Sequence, residues 1–218
     1  MSNFLIDLIV SRFQKAANGG QQPARATQYG SQAVAQVEPS LLELTRAGVR
    51  FGGGLSIIAN AVAPVQAIPT TTAGILIYNA DDVKSLVIDH ATMFLASGTS
   101  DIGALLMAAV TGRILETNAP AAMTTGWAVG SLSGSAKTSP VKIGAAVTIP
   151  AGAVWMALAG NAQPVATTAG ASGNPAQLNG GLIVPPRCGL ALAVLSGAGT
   201  TAKYGMSFSW SELELDRE

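Results

Sequence analysis

Residues 189–215 read GLALAVLSGAGTTAKYGMSFSWSELEL, and this stretch decides the fold. In two runs, large apolar side chains alternate with small ones. The large ones are Leu190, Leu192 and Val194, then Tyr204, Met206, Phe208 and Trp210. Period-two alternation indicates β-strands with one buried face, and the small-residue turn between the runs predicts an antiparallel hairpin. The alternate positions carry Ala191, Ala193, Ser207 and Ser209, so the outward side of the predicted hairpin is small and uncharged.

The composition is low in charge. Charged residues make up 11% of the 218 residues, against about 25% in ordinary globular chains. Twelve basic and twelve acidic residues give a formal net charge of zero, and no acidic residue lies between Glu116 and Glu212. One interpretation is a β-protein that tolerates serine and threonine on its surface. The interpretation we favour is a surface covered by other protein, which predicts a homotrimer or a higher oligomer.

The chain is predicted to be an all-β protein with an N-terminal arm. We expect an antiparallel β-sandwich, jelly-roll-like and of about eight strands, over residues 71–218, because apolar runs alternate there with turn signals. The predicted runs are 75–78, 84–96, 104–115, 127–132, 141–149, 154–158, 182–184, 189–195 and 204–215, of which 104–115 is also compatible with a short helix. Trp127 and Trp155 are expected to join the seven alternating side chains in packing.

Residues 1–70 are predicted to form the arm. A helix over residues 2–17 would present one apolar stripe, formed by Leu5, Ile6, Ile9, Val10 and Phe13. A Gly/Gln/Pro-rich linker over 18–36 and a short helical segment from Pro39 to about Gly48 follow, and the triplet Gly52–Gly54 is expected to open an irregular stretch. The stripe is predicted to be an interface, and three partners for it stay open: a neighbouring copy, a larger shell or its own sandwich.

No constellation in the sequence points to catalysis, so no catalytic residue and no cofactor are expected. The single histidine, His90, is placed by alternation on the face of Leu86, Ile88 and Phe94, which predicts a core or interface residue. Asp89 is expected on the opposite face. Its position excludes an Asp–His dyad within the strand.

Metal, nucleic acid and membrane are not expected as partners either. Asp81, Asp82 and Asp101 are interpreted as turn residues rather than calcium ligands, and Cys188 stands alone. The arm has a small basic surplus without an aromatic platform. The uncharged run 51–80 is broken by Pro64 and Pro69, which argues against a transmembrane segment.

The composition and strand pattern of residues 72–215 resemble those of bacteriophage virion structural proteins, especially capsid-associated or decoration proteins. The resemblance rests on the arm, the charge-poor Ala/Gly/Thr-rich domain, and its closing GLALAVLSGAGTT and Trp-Ser-Glu segments. It implies a non-enzymatic protein of the virion, made in the host cytoplasm, that binds itself and the capsid or other virion proteins. The alternative is a carbohydrate- or receptor-binding β-sandwich, in which Trp127, Trp155 and Trp210 would stack on the ligand.

Overall fold

A computed structural model describes residues 40–99, 104–115, 117–161, 176–196 and 201–215, and the backbone of 25–26 and 32–33. The chain divides into two compact units, Met1–Glu43 and Leu44–Glu218. In the first unit, strands β1 (Arg25–Ala26) and β2 (Gln32–Ala33) pair antiparallel. The predicted helix over 2–17 lies outside the described residues, as do its stripe residues Leu5, Ile6, Ile9, Val10 and Phe13.

A short helix leads into the β-structure. Helix α1 (Ser40–Arg46) confirms the helical segment predicted after Pro39. It ends at a left-handed glycine: Gly48 has a φ of 67°, and its N–H donates to the carbonyl of Thr45 at 2.9 Å. A side chain other than glycine is strained in this conformation, so the glycine fixes the point where the helix stops.

Ten strands of the described chain form two antiparallel sheets, which confirms the predicted all-β sandwich. Sheet I contains β3 (Arg50–Leu55), β5 (Ser85–Ser97), β7 (Trp127–Ser131), β10 (Ala176–Val184) and β12 (Lys203–Leu213), in the order β10-β5-β12-β3-β7. Sheet II contains β4 (Thr72–Tyr78), β6 (Ala104–Val110), β8 (Lys142–Thr148), β9 (Met156–Asn161) and β11 (Gly189–Leu195), in the order β8-β4-β11-β6-β9.

The strand pairing is nested. With β7 and β8 set aside, the first strand of the sandwich pairs with the last: β3 with β12, β4 with β11, β5 with β10 and β6 with β9. An antiparallel ribbon of eight strands folded into two sheets in this way is a jelly roll. The two remaining strands extend it, since β7 adds to sheet I beside β3 and β8 adds to sheet II beside β4.

The sandwich begins earlier than the predicted boundary at residue 71. Strand β3 pairs with both β12 and β7, so Arg50–Leu55 belongs to sheet I. The glycine triplet was therefore wrongly assigned to an irregular stretch. Gly53 faces the core, where a Cβ atom would lie 2.7 Å from Cε2 of Phe208 and 3.1 Å from Cζ3 of Trp210. The absence of a side chain makes room for these two rings.

The core lies between the two sheets. Trp210 is fully buried at its centre, with ring centroids 6.3 Å from Phe51 and 5.8 Å from Phe208. Aromatic pairs at such distances contribute about 0.5–1.5 kcal/mol each beyond their buried area. Sheet II supplies the facing layer, which includes Ile75, Ile77, Ile143, Leu190 and Leu192.

The predicted hairpin of residues 189–210 is wrong. β11 lies in sheet II between β4 and β6, whereas β12 lies in sheet I between β5 and β3, so the two strands do not pair. The alanine face of β11 is also covered by the chain itself. Ala191 is buried in a second apolar cluster on the outer side of sheet II, with Ile114 and Ile149. The serine face of β12, in contrast, stays half-exposed.

Candidate functional site

The outer face of sheet I, which is turned away from sheet II, carries an open groove of about 560 Å³. Strand β3 forms its floor. Gly52 and Gly54 belong to the outer face of this strand because Gly53, between them, faces the core. Neighbouring strands add small side chains at the same level, and Ser209, Gly52 and Gly130 stand in one row. Of the described residues that line the groove, none is Asp, Glu, Lys or Arg.

His90 stands at the wall of this groove, not in the core. The predicted alternation fails at this point because β5 contains a bulge. Ser209 pairs with His90, but the next residue, Trp210, pairs with Ile88, so Asp89 is the extra residue. The inward positions are even-numbered up to Ile88 and odd-numbered from Ala91 onward. The bulge thereby turns His90 outward, away from the core face of Leu86 and Ile88.

Asp89 forms a buried ion pair beside the groove. Its Oδ2 lies 3.0 Å from Nε of Arg50 and accepts a hydrogen bond from Oγ of Ser211 at 3.3 Å. The side chains of Arg50 and Asp89 are only 16% and 7% exposed. Arg50 also reaches back to Thr45 Oγ1 at 3.4 Å. The pair therefore joins β3, β5 and β12 to one another and to Thr45, a role that the sequence did not indicate for either partner.

The end of β12 also differs from expectation. The odd-numbered Leu213 and Leu215, set against the even-numbered apolar residues up to Trp210, predict a bulge at Ser211–Glu212 and an acidic end that reaches solvent or a basic neighbour. Instead Glu212 is buried and Leu213 is half-exposed. Glu212 Oε1 accepts hydrogen bonds from Ser139 Oγ and, at 3.4 Å, from Nε1 of Trp210. These donors satisfy the buried carboxylate of Glu212. The alternation of inward and outward side chains along β12 can therefore continue through this residue.

No protein-family model matches this chain, and no curated protein and no solved structure matches it at a significant level.

The tryptophans are not placed for ligand stacking. Trp127 is 5% exposed and Trp210 fully buried, both in the core cluster. Trp155 is half-buried against the second cluster, on sheet II. The other side chains predicted to pack are buried in the core as well: Leu190, Leu192, Val194, Tyr204, Met206 and Phe208. The indole faces of Trp127 and Trp210 have no access to a sugar, which leaves the carbohydrate-binding alternative without two of its three stacking candidates.

The acidic turn after β4 is held by hydrogen bonds. Asp81 Oδ1 accepts from the backbone N–H groups of Val83 and Lys84 at 2.7 and 2.9 Å. Asp82 accepts from Nε of Arg187 at 2.7 Å. Asp101 lies outside the described residues. Within the described ranges, no three His, Cys, Asp or Glu side chains converge in a way that could hold a metal ion.

Asn79 anchors the same corner from inside. It is fully buried, and its Nδ2 donates to the carbonyls of Lys84 at 2.8 Å and Val184 at 3.2 Å. Its Oδ1 accepts the N–H of Asp81 at 3.1 Å. One side chain thus satisfies backbone groups at the end of β10 and in the turn between β4 and β5, which couples the two sheets at this corner.

A second cavity, of about 800 Å³, lies beside the start of β4. The described residues that line it come from the segment 62–74 and the pair Ala145 and Ala146, and they offer apolar side chains, threonine hydroxyls and the Gln66 amide but no titratable group. This second cavity has room for a ligand, but these residues present no acid or base to it.

In the part of the chain that the structure describes, no helix has the length and apolar character needed to cross a membrane.

The acidic turn after β4 makes a pH-dependent contribution to the stability of the fold. Hydrogen bonds from the backbone N–H groups of Lys84 and Val83 lower the pKa of Asp81 from its ordinary value of 3.8. A lowered folded-state pKa stabilises the fold above the ordinary value, and this stabilisation is lost as the pH falls through the folded-state pKa. We expect Asp81→Asn to lower the free energy of unfolding by about 1 kcal/mol at pH 7 and by less at pH 3, where the carboxyl of the unfolded chain is largely protonated. Urea unfolding at both pH values measures this, with the exposed Glu214→Gln as control. An equal loss at both values would contradict it.

Proposed function

We propose that this chain is a structural protein of a virus particle that associates with itself and binds the capsid shell or other virion proteins. The observation that carries the proposal is a nested jelly roll in which the described residues lining the groove on the outer face of sheet I include no Asp, Glu, Lys or Arg. The jelly roll is an architecture of viral capsid domains, although lectins and cupins use it too. An uncharged sheet face is unusual for a surface that meets only water, and it favours assembly.

A fold alone does not assign a function. The groove supports a binding role rather than a reaction, because its lining is glycine, serine, alanine, aliphatic side chains and Phe208 around one imidazole. A nucleophile would need a base and an orienting group within hydrogen-bonding reach. The acid nearest in sequence to His90, Asp89, is already engaged by Arg50 and Ser211. We therefore propose a protein that acts by docking and carries no catalysis.

The direct experiment is particle fractionation. Particles purified on a density gradient from cells that carry the gene should contain the chain at a fixed ratio to the shell protein, measured by quantitative mass spectrometry. High-salt washing should not remove it, because an uncharged interface is insensitive to screening. Recovery of the chain only in the soluble fraction, with none in the particles, would contradict the proposal.

The arm is proposed as the attachment device, which gives a specific prediction. In the full chain, Ile6→Ser combined with Ile9→Ser should reduce incorporation into particles at least tenfold. Each buried isoleucine contributes about 1.5–3 kcal/mol, and 1.4 kcal/mol is a factor of ten in binding. Ser11→Ala with Gln14→Ala, on the polar side of the predicted helix, is the matched control and should incorporate normally. Equal incorporation of both double variants would show that the arm is not the anchor.

A further inference from the structure

The outer face of sheet I has two unlike halves on either side of its central strand, β12. On the β5–β10 side the outward side chains are large: Val87, His90, Phe94, Gln177 and Ile183. On the β3–β7 side they are minimal at Gly52, Gly54, Ala128 and Gly130, and Leu132 bounds this half at the end of β7, with its Cδ2 3.0 Å from a Cβ atom built on Gly52. Ser207 and Ser209 of β12 stand between the halves. One half is a ridge and the other is the groove described above.

We propose that a second copy of this chain covers this face, related by a two-fold axis parallel to β12. Such an axis places the β5–β10 ridge of each copy in the β3–β7 groove of the other. A two-fold contact uses the same patch on both subunits, so the patch must complement itself. A face with a ridge on one side of its midline and a groove on the other meets this condition. The inference rests on the proposed self-association and names the surface that performs it.

The size and charge of the face fit this occupant. Five strands about 4.8 Å apart, with outward residues over about 20 Å of strand length, make a face of roughly 500 Å². Two copies would bury about 1,000 Å², the lower bound for a specific interface. Among the described residues of this face, charged groups lie only at the ends, with Lys203 at the start of β12 and the Arg50–Asp89 pair towards the other end. A charge-free centre with a charged rim is the usual anatomy of protein interfaces.

Gly130 gives independent support. A Cβ atom there would meet nothing within 4 Å, and its φ lies outside the left-handed region. The fold of the single chain therefore does not require glycine at this exposed position. Glycine in a strand interior is destabilising unless a bulge, a bend or the close approach of another chain needs it. A ridge from a second copy, seated in the groove, supplies that approach.

The test uses Gly130→Arg in the full chain, with the molar mass measured by light scattering at about ten micromolar. Gly112→Arg is the matched control, since Gly112 is also exposed, lacks a positive φ and has nothing within 4 Å of a built Cβ. We expect the wild type and Gly112→Arg to contain an even number of subunits, and Gly130→Arg to contain half as many. Ile183→Asp on the ridge should behave like Gly130→Arg. Val154→Asp, at a more exposed valine outside this face, should not.

The outcomes separate this inference from the proposed function. An odd number of subunits, or an unchanged mass for both Gly130→Arg and Ile183→Asp, would overturn the two-fold contact while self-association still stood. A monomeric wild type would overturn the contact and self-association together. Incorporation into particles is a separate measurement. Whether Gly130→Arg is still incorporated tests capsid binding, whereas the number of subunits tests the two-fold contact.

Discussion

Replacement of Asp89 by alanine is expected to lower the free energy of unfolding by about 3–5 kcal/mol. The change leaves the Arg50 guanidinium buried without its carboxylate, and it removes the acceptor of the Ser211 hydroxyl. Both losses fall on β5, β12 and β3, three neighbouring strands of sheet I. Removing one partner of a buried pair costs more than the pair itself contributes, because the desolvated charge that remains has nothing to offset it.

Urea unfolding at fixed protein concentration measures this effect. The double variant Arg50→Met with Asp89→Leu should recover most of the loss, since apolar residues of similar volume can replace a buried pair. Asp82→Ala is the surface control: its pair with Arg187 is shorter, at 2.7 Å, but the Asp82 side chain is 72% exposed. Solvent screens that pair, so we expect little change. An Asp89→Ala variant as stable as Asp82→Ala would show that the pair is not held in a low-dielectric environment.

Strand positions were predictable from the sequence to a useful degree. The strand 189–195 was predicted at the bounds of β11, and the predicted run 75–78 lies within β4. Local alternation reports which residues are extended and which are apolar, and these two properties are local. Strand pairing is not local. In a nested jelly roll, β11 and β12 follow each other in sequence but pair with β4 and β3, more than a hundred residues away.

The predicted direction of the side chains was wrong where the backbone departs from a regular strand. A single extra residue in β5, Asp89, reverses the faces of all residues after it, so His90 was placed on the wrong side. An aspartate within an otherwise apolar strand was the available signal for the irregularity. Its partner, Arg50, lies 39 residues earlier in the sequence. No pattern of period two could have connected them.

The glycine triplet 52–54 shows why composition misled the boundary prediction. Three consecutive glycines are usually a loop signal, because each lowers strand stability through its conformational freedom. Here each has a packing reason: Gly53 admits two aromatic rings, while Gly52 and Gly54 lie close to Leu132 and to the backbone of β12. These contacts come from distant parts of the chain. The sequence could not reveal them, although they place the groove over β3.

Gly53→Val is expected to lower the free energy of unfolding by about 3 kcal/mol, at the upper end of the cost of overpacking a core. A Cβ atom at Gly53 would stand 2.7 Å from Cε2 of Phe208, and Phe208 packs on Trp210 with centroids 5.8 Å apart. Neither ring can withdraw into solvent, because both are buried. The rings must leave their preferred rotamers, or β3 must separate from β12.

The matched control is Gly112→Ala, at an exposed glycine just after β6 and outside the proposed contact face. Nothing lies within 4 Å of a Cβ atom there, so we expect unfolding to be unchanged or slightly stabilised, since alanine loses less conformational freedom than glycine. Chemical denaturation at matched concentrations distinguishes the lowered free energy of unfolding expected for Gly53→Val from the unchanged or raised value expected for the control. Near-ultraviolet circular dichroism reports whether the packing of Phe208 and Trp210 is disturbed. If Gly53→Val retained both the stability and the aromatic signal of the wild type, the core would have space that the observed ring positions do not allow.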